Sequence, residues 1–226
     1  MKKSITEIVK LILYTLLAIA VAFFIEDFVI PYLTFKDTTK FLASKQQYVH
    51  IPVWKISFYI HVFSAFIALA SGLTQFSKTI LRDYKKLHRV IGRIYAWNIL
   101  AINFPTGMVL AVTAIGSWVS KLGFITLDCL WFWFTYKAIV LIKHNKVLAH
   151  KHFMMRSYAL TFSAITLRFW NTTLMVGLNL DPLLVYTVIA WMGFIPNLLF
   201  VEWLIRRRLN RKKMSVQPHL QVKSIS

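Results

Sequence analysis

Histidine, arginine and tyrosine recur in two similar blocks of the chain, and these residue types can bind a ligand, coordinate a metal ion or carry protons. The first block is "HRVIGRIYA" from His88, and the second is "HKHFMMRSYA" from His150. In each block a histidine precedes an Arg-x-Tyr-Ala sequence and an apolar run follows. Arginine beside an apolar run is a common topological signal, whereas neutral histidine is a poor one. The pattern predicts that His88 and His150, but not His152, belong to one site at one membrane face.

The composition places the chain in a lipid bilayer, because hydrophobic residues make up 58% of it. The net charge of +19 would suggest nucleic acid binding in a soluble protein. Here the basic residues lie between apolar runs, as membrane topology requires, so no nucleic acid partner is predicted. The single cysteine, Cys129, excludes an internal disulfide and the paired cysteines of c-type haem attachment.

Six apolar runs are long enough to cross a hydrocarbon core of about 30 Å as helices. They cover approximately 8–30, 54–77, 91–115, 118–142, 153–178 and 183–205. The first run has a second interpretation, because "LLAIA" ending at Ala20 resembles a signal-peptide cleavage site. The apolar sequence continues after Ala20, which favours a retained anchor. The predicted fold class is therefore all-α: an integral membrane bundle of about six transmembrane helices.

Lysine and arginine set the predicted orientation. They are concentrated after the second span, after the fourth span and in the tail that begins "RRRLNRKK". These three segments are predicted to be cytoplasmic, with both termini inside, in a multi-pass protein of the cell's inner or plasma membrane. Their basic residues are expected to meet anionic lipid headgroups. We divide the chain into an N-terminal anchor helix and extracytoplasmic loop (1–53), a five-helix membrane core (54–205) and a basic cytoplasmic tail (206–226).

Five polar residues inside the spans are not explained by topology. They form a predicted intramembrane cluster of His61, Asn103, Asp128, Arg168 and Asn171. Arg168 lies about 22 Å from the cytoplasmic edge at 1.5 Å per residue, so it must face the protein interior. One interpretation is an ion pair between Asp128 and Arg168 that only satisfies two costly charges. The other is a functional site that uses His61 as ligand or proton carrier.

Small and polar residues also form one face of the second span, from His61 to Gln75. Close packing of a neighbouring helix explains such a face, and a flat ligand or cofactor in the groove is the alternative.

A second cluster is predicted at the cytoplasmic side, where Glu202 is expected to pair with either Arg93 or Arg156. This cluster consists of Gln75, Arg89, Arg93, Tyr95, Arg156, Tyr158 and Glu202.

These residues resemble the bacterial family of predicted membrane proteins that carries the domain of unknown function 2306. The resemblance spans roughly Trp54 to Trp203 and rests on His61, "SGLTQF", "LHRVIGRIYAWN", "HKHFMMRSYALTFSAITLRFW", Trp191, Asn197 and Glu202. The family's second block usually reads His-Arg-Arg-Trp-Met-Ile-Arg-Ser-Tyr. Here His150 keeps the histidine position, whereas Lys151 and His152 replace the two arginines and Phe153 replaces the tryptophan. The resemblance implies a membrane protein of this family, and the family has no established activity that could be carried over.

Two classes of function fit the pattern. The first is a b-type haem-binding transmembrane electron carrier that uses haem b, a quinone or another redox partner, and ligands from His61, His88 and His150. The alternative is a small transporter or lipid-handling protein with a polar cavity around Asp128 and Arg168. A non-catalytic assembly or sensory role is the third interpretation. No hydrolase, kinase or zinc-protease motif is present, and no metal other than haem iron is predicted.

Against the transporter, no span is plainly split in two, and kinks alone do not make a transporter. Kinks are expected at two places, namely at Pro105 with Gly107 in the third span and at Gly193 with Pro196 in the sixth. Both pairs combine a residue that lacks a backbone donor with one that lacks a side chain.

Overall fold

A computed structural model describes residues 29–223 of the chain together with residues 15, 19, 21–23, 25 and 26, and along 212–223 it describes the backbone alone. All regular secondary structure in this part is helical. The described residues between 15 and 26 are helical, and two short 3-10 helices follow them, Ile30–Thr34 and Lys40–Lys45. From residue 46 on, the α-helices and two π-helical segments are α1 (Gln46–Val49), α2 (Pro52–Thr74), α3 (Lys78–Asp83), α4 (Lys85–Trp97), π1 (Asn98–Asn103), α5 (Phe104–Val112), α6 (Trp118–Lys143), α7 (Val147–Thr172), π2 (Thr173–Gly177), α8 (Pro182–Met192) and α9 (Ile195–Lys223).

Four helical stretches of the described chain are long and apolar enough to cross a membrane: Pro52–Thr74, Lys85–Val112, Trp118–Lys143 and Pro182–Arg211. They correspond to the second, third, fourth and sixth predicted spans. The predicted fifth span lies on α7 and π2, which are long enough but carry many serine, threonine and basic side chains. The predicted first span, 8–30, lies largely outside the described residues. The helical fold class is confirmed for the described residues, with four apolar helices of span length.

The chain forms two compact units, Met1–Ala114 and Ile115–Ser226. In the first unit α2 packs against α4, π1 and α5. The buried face of α2 includes Ser64, Ala68, Ser71 and Gly72. Small side chains let helix backbones approach closely in a membrane protein. Helix packing therefore accounts for the face predicted between His61 and Gln75.

Residues 30–51 fold into a compact cap over the start of α2. Tyr32, Leu42 and Val49 of the cap are buried in one apolar cluster with Trp54 and Phe58 of α2. The Tyr32 and Phe58 rings meet edge to face with centroids 5.0 Å apart, while Trp54 and Phe58 stack at 5.7 Å. Large aromatic side chains contribute most of the buried area in such a cluster. The loop predicted to lie outside the membrane is thus an ordered part of the first unit.

A buried lysine ties this cap to the end of α5. Only 2% of Lys45 is exposed, and its ammonium group donates to the carbonyl of Thr113. The same ammonium lies 5.7 Å from the ring centroid of Phe41 and 5.2 Å from that of Tyr48, within cation–π range. The Trp54 indole donates to the Thr113 hydroxyl at 2.8 Å. Thr113 therefore joins the cap, α2 and α5 at one point.

The third span is interrupted before Pro105. The segment π1 separates α4 from α5 and ends two residues before this proline. Proline has no amide hydrogen, and its ring crowds the carbonyl four residues earlier, which belongs to Ala101. A wider π turn removes that crowding. The kink expected at Pro105 and Gly107 takes this form.

In the second unit α6 and α7 form an antiparallel hairpin. The Trp131 indole donates to the Thr161 hydroxyl at 3.1 Å, and the hydroxyls of Thr135 and Ser157 are 2.7 Å apart. Both contacts are buried, so the polar groups of this seam satisfy each other inside the unit. Asn145 makes the turn with φ 58°, a left-handed conformation that asparagine tolerates. The helices α8 and α9 pack on this hairpin.

Candidate functional site

Buried amide and hydroxyl groups fasten π1 to α2 in the first unit. The Asn98 side chain donates to the Ser64 carbonyl at 2.7 Å, and the Ser64 hydroxyl donates to Asn103 Oδ1 at 3.2 Å. Asn103 Nδ2 in turn donates to the Asn98 carbonyl at 3.2 Å. Asn103 is fully buried. These bonds satisfy polar groups that would otherwise be costly among apolar helices.

His61 lies beside this network. Its Nδ1 is 3.3 Å from the Thr106 hydroxyl oxygen, and that hydroxyl donates to the Ile102 carbonyl at 2.6 Å. Because the hydroxyl proton is directed to Ile102, the Thr106 oxygen accepts from His61 and Nδ1 carries a proton. The structure therefore brings the two predicted cluster residues of the first unit, His61 and Asn103, to neighbouring polar contacts on α2, π1 and α5.

Asp128 lies on the buried face of α6, with only 6% of the residue exposed. The carboxyl oxygen Oδ2 has no hydrogen-bond partner among the described residues. Buried carboxyl groups are normally paired or hydrogen-bonded, since their desolvation is costly. Asp128 is therefore an exception that a purely structural role does not explain.

The predicted ion pair between Asp128 and Arg168 is wrong. Arg168 donates from Nη1 to the carbonyl of Ala164, one turn earlier on α7, at 2.5 Å. Within the described chain no ion pair joins Arg168 to Asp128. The contacts between α6 and α7 place Asp128 roughly level with Ala164, so the two charged residues do lie at similar depth. The hydrogen bond from Nη1 thus goes to a carbonyl of the arginine's own helix, while the buried Nε makes no hydrogen bond in the described chain.

Asn171 completes the predicted cluster in the second unit. It is half-buried one turn beyond Arg168, and its side-chain oxygen is buried without a hydrogen-bond partner in the described chain. The predicted cluster thus falls into two parts. His61 and Asn103 belong to the first unit, whereas Asp128, Arg168 and Asn171 belong to the second.

Arg156 and Glu202 form the ion pair expected at the cytoplasmic side. The guanidinium bonds both carboxylate oxygens, through Nε to Oε1 and through Nη2 to Oε2 at 3.1 Å. The pair holds α7 to α9, and its two parallel bonds make it a strong one. The Arg156 guanidinium also lies 5.0 Å from the centroid of the Phe153 ring. Phe153 therefore supplies an aromatic face at the position where the family pattern has tryptophan.

The remaining residues of the predicted cytoplasmic cluster have different environments. Gln75 packs on α4 so closely that a Cβ atom at Gly92 would lie 2.9 Å from its Oε1. Tyr95 is fully buried, whereas Arg89 and Arg93 are exposed. Tyr158 on α7 is half-buried. Gln75 and Tyr95 thus pack inside the first unit, and Arg156 is the arginine that meets Glu202.

Histidines begin α4 and α7, as the two sequence blocks predict. His150 Nδ1 is 2.8 Å from the Ala138 carbonyl, and because a carbonyl only accepts, Nδ1 carries the proton. His88 and His150 are half-buried and belong to different units. A site shared by His88 and His150 stays a prediction. Among the described residues no group of three or more histidine, cysteine or carboxylate side chains is placed to hold a metal ion.

Sequence reasoning missed the role of Asn197. Its side-chain amide donates toward Thr166 Oγ1 at 3.0 Å, the Gly193 carbonyl at 3.2 Å and the Ala159 carbonyl at 3.2 Å. The Thr166 hydroxyl also donates to Gly193 at 2.5 Å. Asn197 therefore closes the backbone break between α8 and α9. The sequence did contain a signal for this role, because Asn197 places an amide directly after Pro196 in an apolar run, where a freed backbone group needs a partner.

Long apolar helices that bury hydrogen-bonded polar residues define a helical membrane protein. The chain belongs to the family described as Predicted membrane protein (DUF2306), whose model matches residues 58–205. This match confirms the resemblance drawn from the two histidine blocks. No curated protein and no solved structure matches the chain.

Proposed function

We propose that this membrane protein is a small transporter in which the Asp128 carboxyl takes up and releases a proton. The observation that carries the proposal is the burial of Asp128 with one carboxyl oxygen unpartnered. Ionisable residues inside membrane segments are rare and commonly mark ion or proton pathways. A carboxyl fixed in an ion pair would be held in its charged form, and Asp128 lacks that constraint.

The surroundings of Asp128 support a pathway. Arg168 and Asn171 add polar groups at similar depth on α7, the neighbouring helix. Beyond Asn171 the α-helical geometry of α7 gives way to π2. A second break in regular helix lies at Gly193, between α8 and α9. Irregular backbone at membrane depth is typical of substrate and ion sites in transporters. The same groups also suit a protein that handles lipid, which we regard as a variant of this proposal.

The proton role of Asp128 can be tested by infrared spectroscopy of the full chain in lipid membranes during a pH titration. We expect a pH-dependent carboxyl signal that disappears in Asp128→Asn. Asp83→Asn is the matched control, because Asp83 is bonded to Arg82 on the short helix α3. The signal should persist in that control. If Asp128→Asn left all pH-dependent carboxyl signals unchanged, the proposed role of Asp128 would be refuted.

We further propose a multi-pass topology of six spans with both termini cytoplasmic, in the inner or plasma membrane. The support is the distribution of lysine and arginine, which follows the second and fourth spans and fills the tail. In this topology the N-terminus is cytoplasmic, the anchor helix crosses the membrane, and the rest of the segment 1–53 lies outside.

Reporter fusions test this topology. A reporter joined after Lys213 should read as cytoplasmic, and one inserted at Gly116, in the connection before α6, should read as external. The dense positive charge of the tail keeps it on the cytoplasmic side, whereas the short connection at Gly116 carries no charged side chain that would oppose translocation. An external signal from the Lys213 fusion would contradict the model.

A second candidate function is electron transfer through b-type haem with a quinone or another redox partner. One observation favours it: the Nδ1–H of His150 is directed to the Ala138 carbonyl, so the unprotonated Nε2 is the atom that would bind iron. Ligating histidines in proteins commonly donate their other ring N–H in this way. His88 and His61 are the further candidate ligands.

The haem proposal predicts an intense Soret absorption in protein purified from haem-replete cells. The band should be lost in His150→Gln and in His88→Gln. His144→Gln is the control, since His144 only ends α6 on an exposed turn. His152→Gln is also expected to be mild. Colourless wild-type protein would rule this candidate out.

A further inference from the structure

The end of α9 presents a basic face with a tryptophan at its inner end. Residues recur along it at spacings of three and four, so their side chains lie on one side of the helix. They line a shallow groove of about 400 Å³ and are Trp203, Arg206, Arg207, Asn210 and Arg211. We call this set the basic groove. It lies where the last apolar stretch of the chain, Pro182–Arg211, ends.

The arginines of the basic groove are available to a ligand. All three are exposed, and no carboxylate of the described chain pairs with them. Glu202, the carboxylate next to the groove in sequence, is already bonded to Arg156. Glu202 therefore interacts with Arg206 only at longer range, and no carboxylate of the described chain forms a close ion pair with the three arginines.

Trp203 gives the groove a side chain that suits the level of the lipid headgroups. The Arg207 guanidinium lies 5.1 Å from the centroid of the Trp203 ring, and half of Trp203 is exposed. Tryptophan side chains are enriched at the level of the lipid headgroups, where one end of the indole is apolar and the other is wet. With Trp203 at this level, the next two turns of α9 carry Arg206, Arg207 and Arg211 to the phosphates.

We propose that the basic groove binds the phosphate of an anionic phospholipid in the leaflet at which α9 leaves the membrane. Guanidinium groups match phosphate with two parallel hydrogen bonds, and anionic leaflets attract basic segments near their surface. Asn210 adds an amide donor between the arginines. The proposal concerns a lipid site and does not depend on transport or on haem.

Native mass spectrometry of the full chain in detergent tests the proposal. The protein is titrated with phosphatidylglycerol or with phosphatidylcholine of the same acyl chains. We expect phosphatidylglycerol to bind at least tenfold more tightly, and the triple variant Arg206→Gln, Arg207→Gln, Arg211→Gln to lose this preference. Each arginine is expected to account for about fivefold in affinity. Arg207→Lys, which keeps the charge but loses the planar fork, should give an intermediate affinity.

The matched control removes the same charge elsewhere. Arg208 is on the same helix but reaches Met155, with Nη1 3.7 Å from its sulfur, and Arg89 and Arg93 are exposed on α4. The triple variant Arg89→Gln, Arg93→Gln, Arg208→Gln should keep the preference for phosphatidylglycerol. Equal loss in both triple variants would overturn the proposal in favour of diffuse attraction. Competition by inorganic phosphate at concentrations equal to the lipid would also overturn it, because a free anion would then be the ligand.

Discussion

Replacing Arg156 by leucine is expected to lower the free energy of unfolding by about 2 kcal/mol, because the carboxylate of Glu202 loses its cation inside the second unit. Breaking a fully buried ion pair costs roughly 3–5 kcal/mol. The loss is smaller here, since 34% of the Glu202 side chain is exposed. For a chain of this length the expected fall in the midpoint of thermal unfolding in detergent micelles is about 4–8 °C.

The two partners are expected to respond unequally. Glu202→Gln leaves Arg156 without a carboxylate partner. The arginine side chain is long enough to carry its charge toward the membrane–water interface, and the Phe153 ring still contacts the guanidinium. We expect a loss of about 1 kcal/mol for this variant. The double variant Arg156→Leu, Glu202→Leu should recover stability relative to Arg156→Leu, because no lone charge remains.

Arg208→Gln is the control for loss of positive charge near α9, since Arg208 is exposed and has no ion-pair partner in the described chain. It should change the midpoint little. If the double variant proved no more stable than Arg156→Leu, the ion pair would not be the reason for the loss.

The membrane fold could be predicted from the sequence because hydropathy over about 20 residues determines which segments can cross a bilayer. Four predicted spans reappear as apolar helices of the required length. The position of Lys45 could not be predicted. A lysine in a polar loop is normally exposed, and its burial depends on Thr113, which is distant in sequence and is brought near only by the fold.

Counting residues along the predicted helices gave the depth of each polar side chain in the membrane, but not the direction in which that side chain points from its helix. Depth was sufficient for Arg156 and Glu202, which do pair. It was insufficient for Asp128 and Arg168, because an arginine can also bond a carbonyl of its own helix. The proline at 105 indicated an interruption, but the sequence did not show that the interruption would be a π segment whose Asn103 bonds α2. Rotation about a helix axis and local backbone register are set by packing, which periodicity alone does not fix.

Gly193 is the position in the second unit where a single methyl group is expected to have a large effect. A Cβ atom there would lie 2.8 Å from the Ile189 carbonyl oxygen and 3.1 Å from Leu167 Cβ. The first contact is with backbone and cannot be relieved by a side-chain rotation. Gly193→Ala therefore requires the end of α8 to distort at Ile189 and the break before α9 to move away from Leu167 of α7, which would also weaken the bonds from Thr166 and Asn197 to the Gly193 carbonyl.

We expect Gly193→Ala to lose about 1–3 kcal/mol of unfolding free energy, the usual cost of overpacking a close contact. Gly177→Ala is the matched control, because it adds the same methyl group where no atom lies within 4 Å. It should leave the midpoint of thermal unfolding in detergent nearly unchanged. A variant at Gly193 as stable as the one at Gly177 would show that α7 does not pack this tightly on the break.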